Sequence, residues 1–162
     1  MLIKILLCLT LLIFTSGVGY AFAAKYRKRK VFFSQFHEFN QKFLQELAYS
    51  KRPIKEFLQA YPYKGEFLAL LEEYREKLGQ DNFFNKYFSL NTFLIKDEEK
   101  LIIEYFKDLG KGDTDSQKSL FSVRAKDLEI LKDKTEKEYK KYAELYVKLG
   151  VLVGLAIIIV II

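Results

Sequence analysis

The sequence offers few arrangements of side chains that could perform catalysis. Adjacent carboxylates, which could serve as a general acid and base, occur at residues 72–73 and 98–99. Neighbouring residues on a helix point about 100° apart, so neither pair converges on one site. The single histidine, His37, precedes Glu38, but no nucleophile motif accompanies them, and a solvent-facing or capping role fits this histidine better. These residues do not predict an active site.

The sequence also lacks the residues that phosphate or metal chemistry requires. The sequence contains no glycine-rich loop of the Walker type, so we expect that the chain itself does not hydrolyse ATP. The only cysteine, Cys8, lies in an apolar run and has no second cysteine to pair with, and one histidine cannot form a metal-binding cluster. We therefore expect a protein that is not an enzyme and has no cofactor, metal or small-molecule substrate.

The net charge of +6 is concentrated beside one apolar segment. Residues 31–148 contain 21 basic and 21 acidic residues, whose charges cancel. Apart from Lys4, the excess comes from five residues that we call the basic cluster: Lys25, Arg27, Lys28, Arg29 and Lys30. A nucleic-acid-binding domain carries its excess positive charge on the folded surface, so this distribution predicts no nucleic-acid partner and indicates a role in membrane topology.

The elements that would position any functional side chain begin with an apolar segment. Residues 5–24 are 20 uncharged residues, long enough to cross a bilayer as a helix at ~1.5 Å per residue. A cleaved signal peptide is the alternative, because Lys4, the apolar run and the small residues around Ala23 fit that template. The basic cluster favours an uncleaved anchor over residues 1–24, since basic flanks hold the residues that follow in the cytoplasm.

A second apolar segment, residues 149–162, is predicted to be a membrane helix. Its 14 residues span about 21 Å, less than the ~30 Å hydrocarbon core, but residues 145–147 can extend it while Lys148 reaches the headgroups. Gly150 and Gly154 stand four residues apart, a spacing that lets another helix approach closely in lipid. If both apolar segments span the membrane, residues 25–148 form a cytoplasmic domain between them.

The residues between the apolar segments have the pattern of an all-α helical bundle of five or six helices. No segment shows the alternation of a strand, so we expect no sheet. Spacings of three and four predict the buried face of a helix that continues from the first apolar segment. The residues on this face are Phe32, Phe36, Phe39, Phe43 and Leu47.

Glycine and proline mark the ends of the other helices. Pro53 predicts the first turn of a second helix, and Gly79 and Gly110 predict the ends of two more. Residues 82–94 are predicted to form a short helix and a loop. From about Thr114 no glycine or proline occurs before Gly150, which predicts one long helix that continues into the membrane. Its packing seam is expected at Phe121, Ala125, Leu128, Lys132, Thr135, Tyr139, Tyr142, Tyr146 and Leu149.

Four segments together carry a family resemblance. Their characteristic residues are Gly19 and Tyr20 before the basic cluster; Glu46, Tyr49 and Pro53; Leu109, Gly110 and Gln117; and Leu149, Gly150 and Gly154. In this order and at these separations they resemble the stage III sporulation protein AB family of endospore-forming bacteria, nearly from end to end. The sequence departs from that pattern in a last apolar segment that is short and in residues 82–94, which are rich in asparagine and aromatic residues.

The resemblance implies a cytoplasmic domain related to the platform protein of type II secretion and type IV pilus machines. It also implies a structural docking subunit in the mother-cell membrane, facing the forespore. Eight such components, AA to AH, would build a transenvelope channel with a forespore partner, and the expected neighbour is the secretion-type ATPase, AA. The residues alone leave a second possibility open, a secreted helical binding module released by signal cleavage.

Overall fold

The computed structural model describes residues 2–50, 52–78, 88 and 93–161, and within these residues every regular element is helical. The helices are α1 (Leu2–Tyr49), α2 (Ile54–Phe57), α3 (Gly65–Glu76), α4 (Lys96–Asp108), α5 (Thr114–Glu138) and α6 (Glu144–Ile161), and the π-helical segment Tyr139–Ala143 joins α5 to α6. This confirms the expected all-α fold. The predicted helix end at Gly79 and most of the short helix and loop predicted over residues 82–94 lie outside the described residues.

The chain divides into two compact units. One, which we call the terminal unit, contains the residues up to Lys30 and those from Lys134 onward. The other, the central unit, contains Val31–Asp133. Both α1 and α5 contribute residues to each unit.

The core of the central unit is built around the aromatic face of α1. The phenylalanines at positions 32, 36, 39 and 43 are each at most 4% exposed, as their spacing predicted, and Leu47 packs against them. Rings from other helices surround this face, with Phe36 centred 4.7 Å from Tyr105 of α4 and 5.6 Å from Phe67 of α3. Edge-to-face and tilted ring pairs of this kind add to the burial energy, so the aromatic spacing in α1 determines where α3 and α4 dock.

A buried amide crosses this aromatic core. Asn40 donates from Nδ2 to the Phe121 carbonyl at 3.1 Å and accepts the Tyr105 hydroxyl at 2.9 Å, joining α1, α4 and α5. Burial raises the pKa of Tyr105 well above its ordinary value, so this hydroxyl remains a donor at physiological pH. Because each partner is buried, the three groups fix the mutual register of these helices.

Among the described residues, two helices are long and apolar enough to cross a membrane: α1 and the helix formed by α5, the π-helical segment and α6. In the most apolar 18-residue window of each, only 11% is buried inside the protein. A core helix of a water-soluble protein buries most of its apolar surface, so this exposure fits lipid contact. The finding agrees with the prediction of one apolar membrane helix towards each end of the chain.

The helix from Thr114 to Ile161 is continuous, as the absence of breakers predicted, but it is not α-helical throughout. A π-helical turn holds about one residue more than an α-turn. After Tyr139–Ala143, the residues that face the neighbouring helix therefore come about one position later than in an uninterrupted α-helix. Leu149, expected in the packing seam, is 44% exposed, whereas Gly154 is buried and Gly150 contacts α1. The predicted seam is therefore wrong at Leu149, because its regular spacing assumed an α-helix.

Candidate docking surface

The last turn of α1 carries an ion pair that closes onto the residues after it. The Glu46 side chain is 5% exposed and accepts two bonds from Arg52: Nε to Oε1 at 2.8 Å and Nη2 to Oε2 at 2.7 Å. The Arg52 backbone N–H also donates to Oε1 at 3.3 Å. A two-point pair fixes direction as well as distance, so the chain leaves α1 with a defined geometry. Pro53 follows at once and precedes α2, as its role in starting the next helix predicted.

Replacement of Glu46 by glutamine is expected to lower the free energy of unfolding by about 1–2 kcal/mol at pH 7. The hydrogen bonds from Arg52 lower the pKa of Glu46 below its ordinary value. A lowered folded-state pKa contributes stability that is present above the unfolded pKa of about 4.3 and is lost as pH falls through the folded pKa. The difference between wild type and variant should therefore shrink below about pH 4.3.

Chemical unfolding of the full chain in detergent at pH 7 and at lower pH measures this difference. Glu56→Gln, at an exposed position in α2, is the matched control and should change stability little at either pH. An effect of Glu46→Gln that stays constant across this pH range would contradict the pairing.

The loop after α4 passes close to α2 and depends on glycine. Gly110 and Gly112 have φ angles of +76° and +92°, which glycine adopts without the strain that a Cβ would bring. A Cβ at Gly110 would lie 3.5 Å from Cβ of Ile54 in α2, so the two segments are in contact. Leu109, 3% exposed, anchors the loop to the core just before the turn, and α4 ends at Asp108 as the sequence predicted.

Two side chains fix the start of α5. Asp113 accepts the Ser116 backbone N–H at 2.9 Å and the Ser116 hydroxyl at 2.6 Å, and these bonds lower the pKa of the Asp113 carboxyl. Aspartate is a favoured residue at this capping position because it satisfies an N–H that the helix leaves unpaired. Gln117, 4% exposed, donates from Nε2 to the Lys111 carbonyl at 2.7 Å and so ties α5 back to the loop.

These segments form one continuous surface of the central unit, which we call the docking surface. Its residues are Leu47, Arg52, Ile54, Gly110, Gly112, Thr114 and Gln117, and the buried Glu46 supports it through its bonds to Arg52. Cavities of about 220 Å³ and 450 Å³ open on it, and Leu47 and Thr114 line both. Tyr49 is 87% exposed and follows Ala48, which lines the larger cavity. Tyrosine and arginine are enriched in protein-binding sites, so this end of α1 is a candidate for one.

The structure thus brings together one part of the family pattern and separates another. Glu46, Gly110 and Gln117 form or support the docking surface, and Tyr49 and Pro53 lie close to it in the chain, whereas Leu149, Gly150 and Gly154 belong to the terminal unit. The sequence assigned no role to Arg52, although its position six residues after Glu46 and directly before Pro53 is compatible with an ion pair across the end of a helix.

Within the terminal unit, Gly150 and Gly154 lie against α1. A Cβ at Gly150 would be 2.7 Å from the Thr15 carbonyl oxygen, and one at Gly19 would be 2.6 Å from the Tyr146 carbonyl oxygen. No side chain fits at these distances unless a backbone moves. Further along the pair, Tyr26 stacks on Tyr142 at 5.2 Å between ring centroids. The glycine spacing predicted a closely packed helix, and its partner is the first helix of the same chain.

The basic cluster of the terminal unit does not present all its charges to solvent. Lys25, Arg27 and Lys28 are exposed, and Lys30 lies with Nζ 5.0 Å from the centroid of the Tyr139 ring. Arg29 is 6% exposed and forms an ion pair with Glu138. The partners are 109 residues apart in the chain, so this packing role of Arg29 could not be predicted from local sequence patterns.

These features define the class of protein: an all-α protein with two helices suited to crossing a membrane and a central unit built on an aromatic core. The chain belongs to the stage III sporulation protein AB family, whose family model matches residues 4–162. It is therefore a sporulation-related protein, and the resemblance stated from its four segments is confirmed. Comparison with curated proteins and with solved structures finds no match.

Proposed function

We propose that this chain is a structural docking subunit of a transenvelope channel complex between mother cell and forespore. On this proposal it recruits the secretion-type ATPase of that complex, AA, and works beside the other AA to AH components. Family membership supports the role in sporulation. The observation that carries the docking role is the end of α1, where Leu47 lines two cavities and Tyr49, directly after the cavity-lining Ala48, is 87% exposed.

The Glu46–Arg52 pair suits this surface for binding. The Arg52 side chain is 43% exposed while two of its nitrogens are held by Glu46, so its position is set before any partner arrives. A side chain that is already ordered loses less conformational entropy on binding. Tyrosine and arginine are enriched among the residues that dominate binding energy, so Tyr49 and Arg52 are the proposed contact residues.

The helix pair supports an uncleaved membrane anchor. Cleavage near Ala23 would remove Gly19, against which Gly150 packs, and would leave the close-packed face of α6 without its partner. The secreted binding module is therefore the less supported alternative. Under the positive-inside rule the basic cluster supports a cytoplasmic location for the central unit, where a soluble ATPase could reach it.

Replacement of Tyr49 by alanine is expected to raise the Kd for the partner ATPase at least tenfold, because an exposed aromatic anchor would be lost. The full chain, purified in detergent or reconstituted in nanodiscs, can be titrated with the ATPase by calorimetry. Ile130→Ala is the matched control, since Ile130 is 66% exposed on α5 of the same unit and lies outside the docking surface. Equal losses for both variants, or no complex with wild type, would contradict the docking role.

We further propose that the chain performs no catalysis of its own. Among the described residues no group of three histidine, cysteine, aspartate or glutamate side chains is placed to hold a metal ion. The same preparations should release no phosphate from ATP in the absence of the ATPase. Hydrolysis that remains with the chain through stringent purification would overturn this part of the proposal.

A further inference from the structure

A groove in the terminal unit opens beside the point where apolar residues give way to charged ones. Its volume is about 340 Å³. Ala23 of α1 and Ala143 of the π-helical segment, each 7% exposed, form its floor, and Val147 adds a further apolar wall. Because methyl groups fill little space, the groove can hold an elongated apolar group such as an acyl chain.

The groove lies at the depth of lipid headgroups if the two apolar helices cross a membrane. Ala24, the last residue of the uncharged run in α1, lines it, and so does Lys148, the last charged residue before the apolar end of α6. Besides Ala143, the π-helical segment contributes Tyr139 and Lys140 to the lining. Insertion of a residue into a helix frequently marks a functional site, because it opens the helix surface locally.

The rim of the groove is cationic. Arg27 donates to the Tyr20 hydroxyl at 3.1 Å and lies 5.9 Å from the centroid of the Tyr20 ring, and both of these contacts are to uncharged groups. Lys148 is 3.4 Å from Glu144, and both side chains are 72% exposed. Exposed ion pairs contribute about 0–1 kcal/mol, so a phosphate can replace the carboxylate beside Lys148 at little cost.

We propose that this groove binds one anionic phospholipid, with its phosphate held by Arg27 and Lys148 and an acyl chain lying along Ala23, Ala143 and Val147. Arginine binds a phosphate through two parallel N–H bonds, and the nearby Tyr20 hydroxyl can donate a third. Basic pockets between membrane helices bind such headgroups on the cytoplasmic side. The inference rests on the proposed membrane insertion but requires neither the ATPase nor the docking surface.

The test uses the full chain in nanodiscs that contain equal amounts of phosphatidylglycerol and phosphatidylcholine. The chain is released into detergent, and native mass spectrometry counts the lipids that remain bound. Wild type should retain one phosphatidylglycerol in preference to phosphatidylcholine. The double variant R27Q/K148Q should lose this retention about tenfold or more, since it removes both phosphate contacts.

The double variant K25Q/K28Q is the matched control, because it removes the same charge from the same boundary without touching the groove. It should reduce retention at most about twofold. Equal losses in the two variants, or equal retention of both lipids, would overturn the site. Displacement of the lipid by 10-fold excess inorganic phosphate would show that the apolar floor contributes nothing to lipid binding, and this would overturn the inference. A second protein chain bound in place of lipid would overturn it as well. Insertion into the nanodisc is observed separately, so loss of lipid preference alone leaves the proposed function intact.

Discussion

Replacement of Gly19 by leucine is expected to separate the two helices of the terminal unit. A Cβ at this position would lie 2.6 Å from the Tyr146 carbonyl oxygen and 3.3 Å from Gly150 Cα, so only a backbone shift can admit a side chain. Overpacking of this kind costs typically 1–3 kcal/mol, and the blocking atoms here are backbone, so we expect a loss of about 3 kcal/mol. Thermal unfolding of the full chain in detergent measures the loss, and binding to the ATPase shows whether the complex tolerates it.

Gly17→Leu provides an internal control for this prediction. Gly17 lies on the same apolar stretch of α1, but a Cβ there would meet nothing within 4 Å. Both variants add the same apolar side chain to the same helix, so their membrane insertion should be equal. If Gly19→Leu and Gly17→Leu unfold at the same temperature, then Gly19 and Gly150 do not form the close contact described above.

Removal of the accessible charge beside α1 is expected to send the central unit to the opposite side of the membrane in a large fraction of molecules. The variant K25Q/R27Q/K28Q/K30Q removes the flanking charges that determine orientation. Arg29 is retained because it pairs with Glu138, and its loss would leave that carboxylate without its ion-pair partner and confuse orientation with folding. The central unit can be located with Gln59→Cys in a Cys8→Ser background and a maleimide that does not cross membranes.

The control for orientation removes equal charge from the central unit. K100Q/K107Q/K118Q/K126Q changes four exposed lysines of the central unit that do not flank an apolar segment, and it should leave the maleimide pattern of the parent unchanged. If the basic-cluster variant also keeps the parental pattern, the basic cluster does not determine orientation, and the central unit must be held on its side by folding.

The fold was largely predictable because the spacing of apolar residues within single helices identifies much of its core. The phenylalanines of α1 recur at three and four residues, and their burial follows from helix geometry alone. The start of α5 at Thr114 and the end of α4 before Gly110 follow from capping and turn residues in the same way. Each of these predictions depends on residues within a few turns of one another.

The contacts that could not be predicted join residues that are far apart in the chain or depend on the π-helical segment. Arg29 pairs with Glu138 across 109 residues, and Asn40 reaches both Tyr105 and Phe121, for which aromatic spacing gives no signal. The π-helical segment shifts the packing seam away from Leu149. Glycine and proline do not mark such an inserted residue, so the shift could not be predicted from the sequence. The candidate docking surface could not be identified from the sequence, since its members come from separate segments of the chain.

The contact between Thr15 and Gly154 also sets an order for biosynthesis. The two residues are separated by about 140 positions, and at ~5–20 residues per second roughly 7–28 s pass between their synthesis. If α1 enters the membrane as it is made, it resides there without α6 during that interval, which a helix can do because its backbone bonds are satisfied internally. The aromatic core of the central unit has time to fold while α6 is still being made. Pairing of α6 with α1 is therefore the last step of folding.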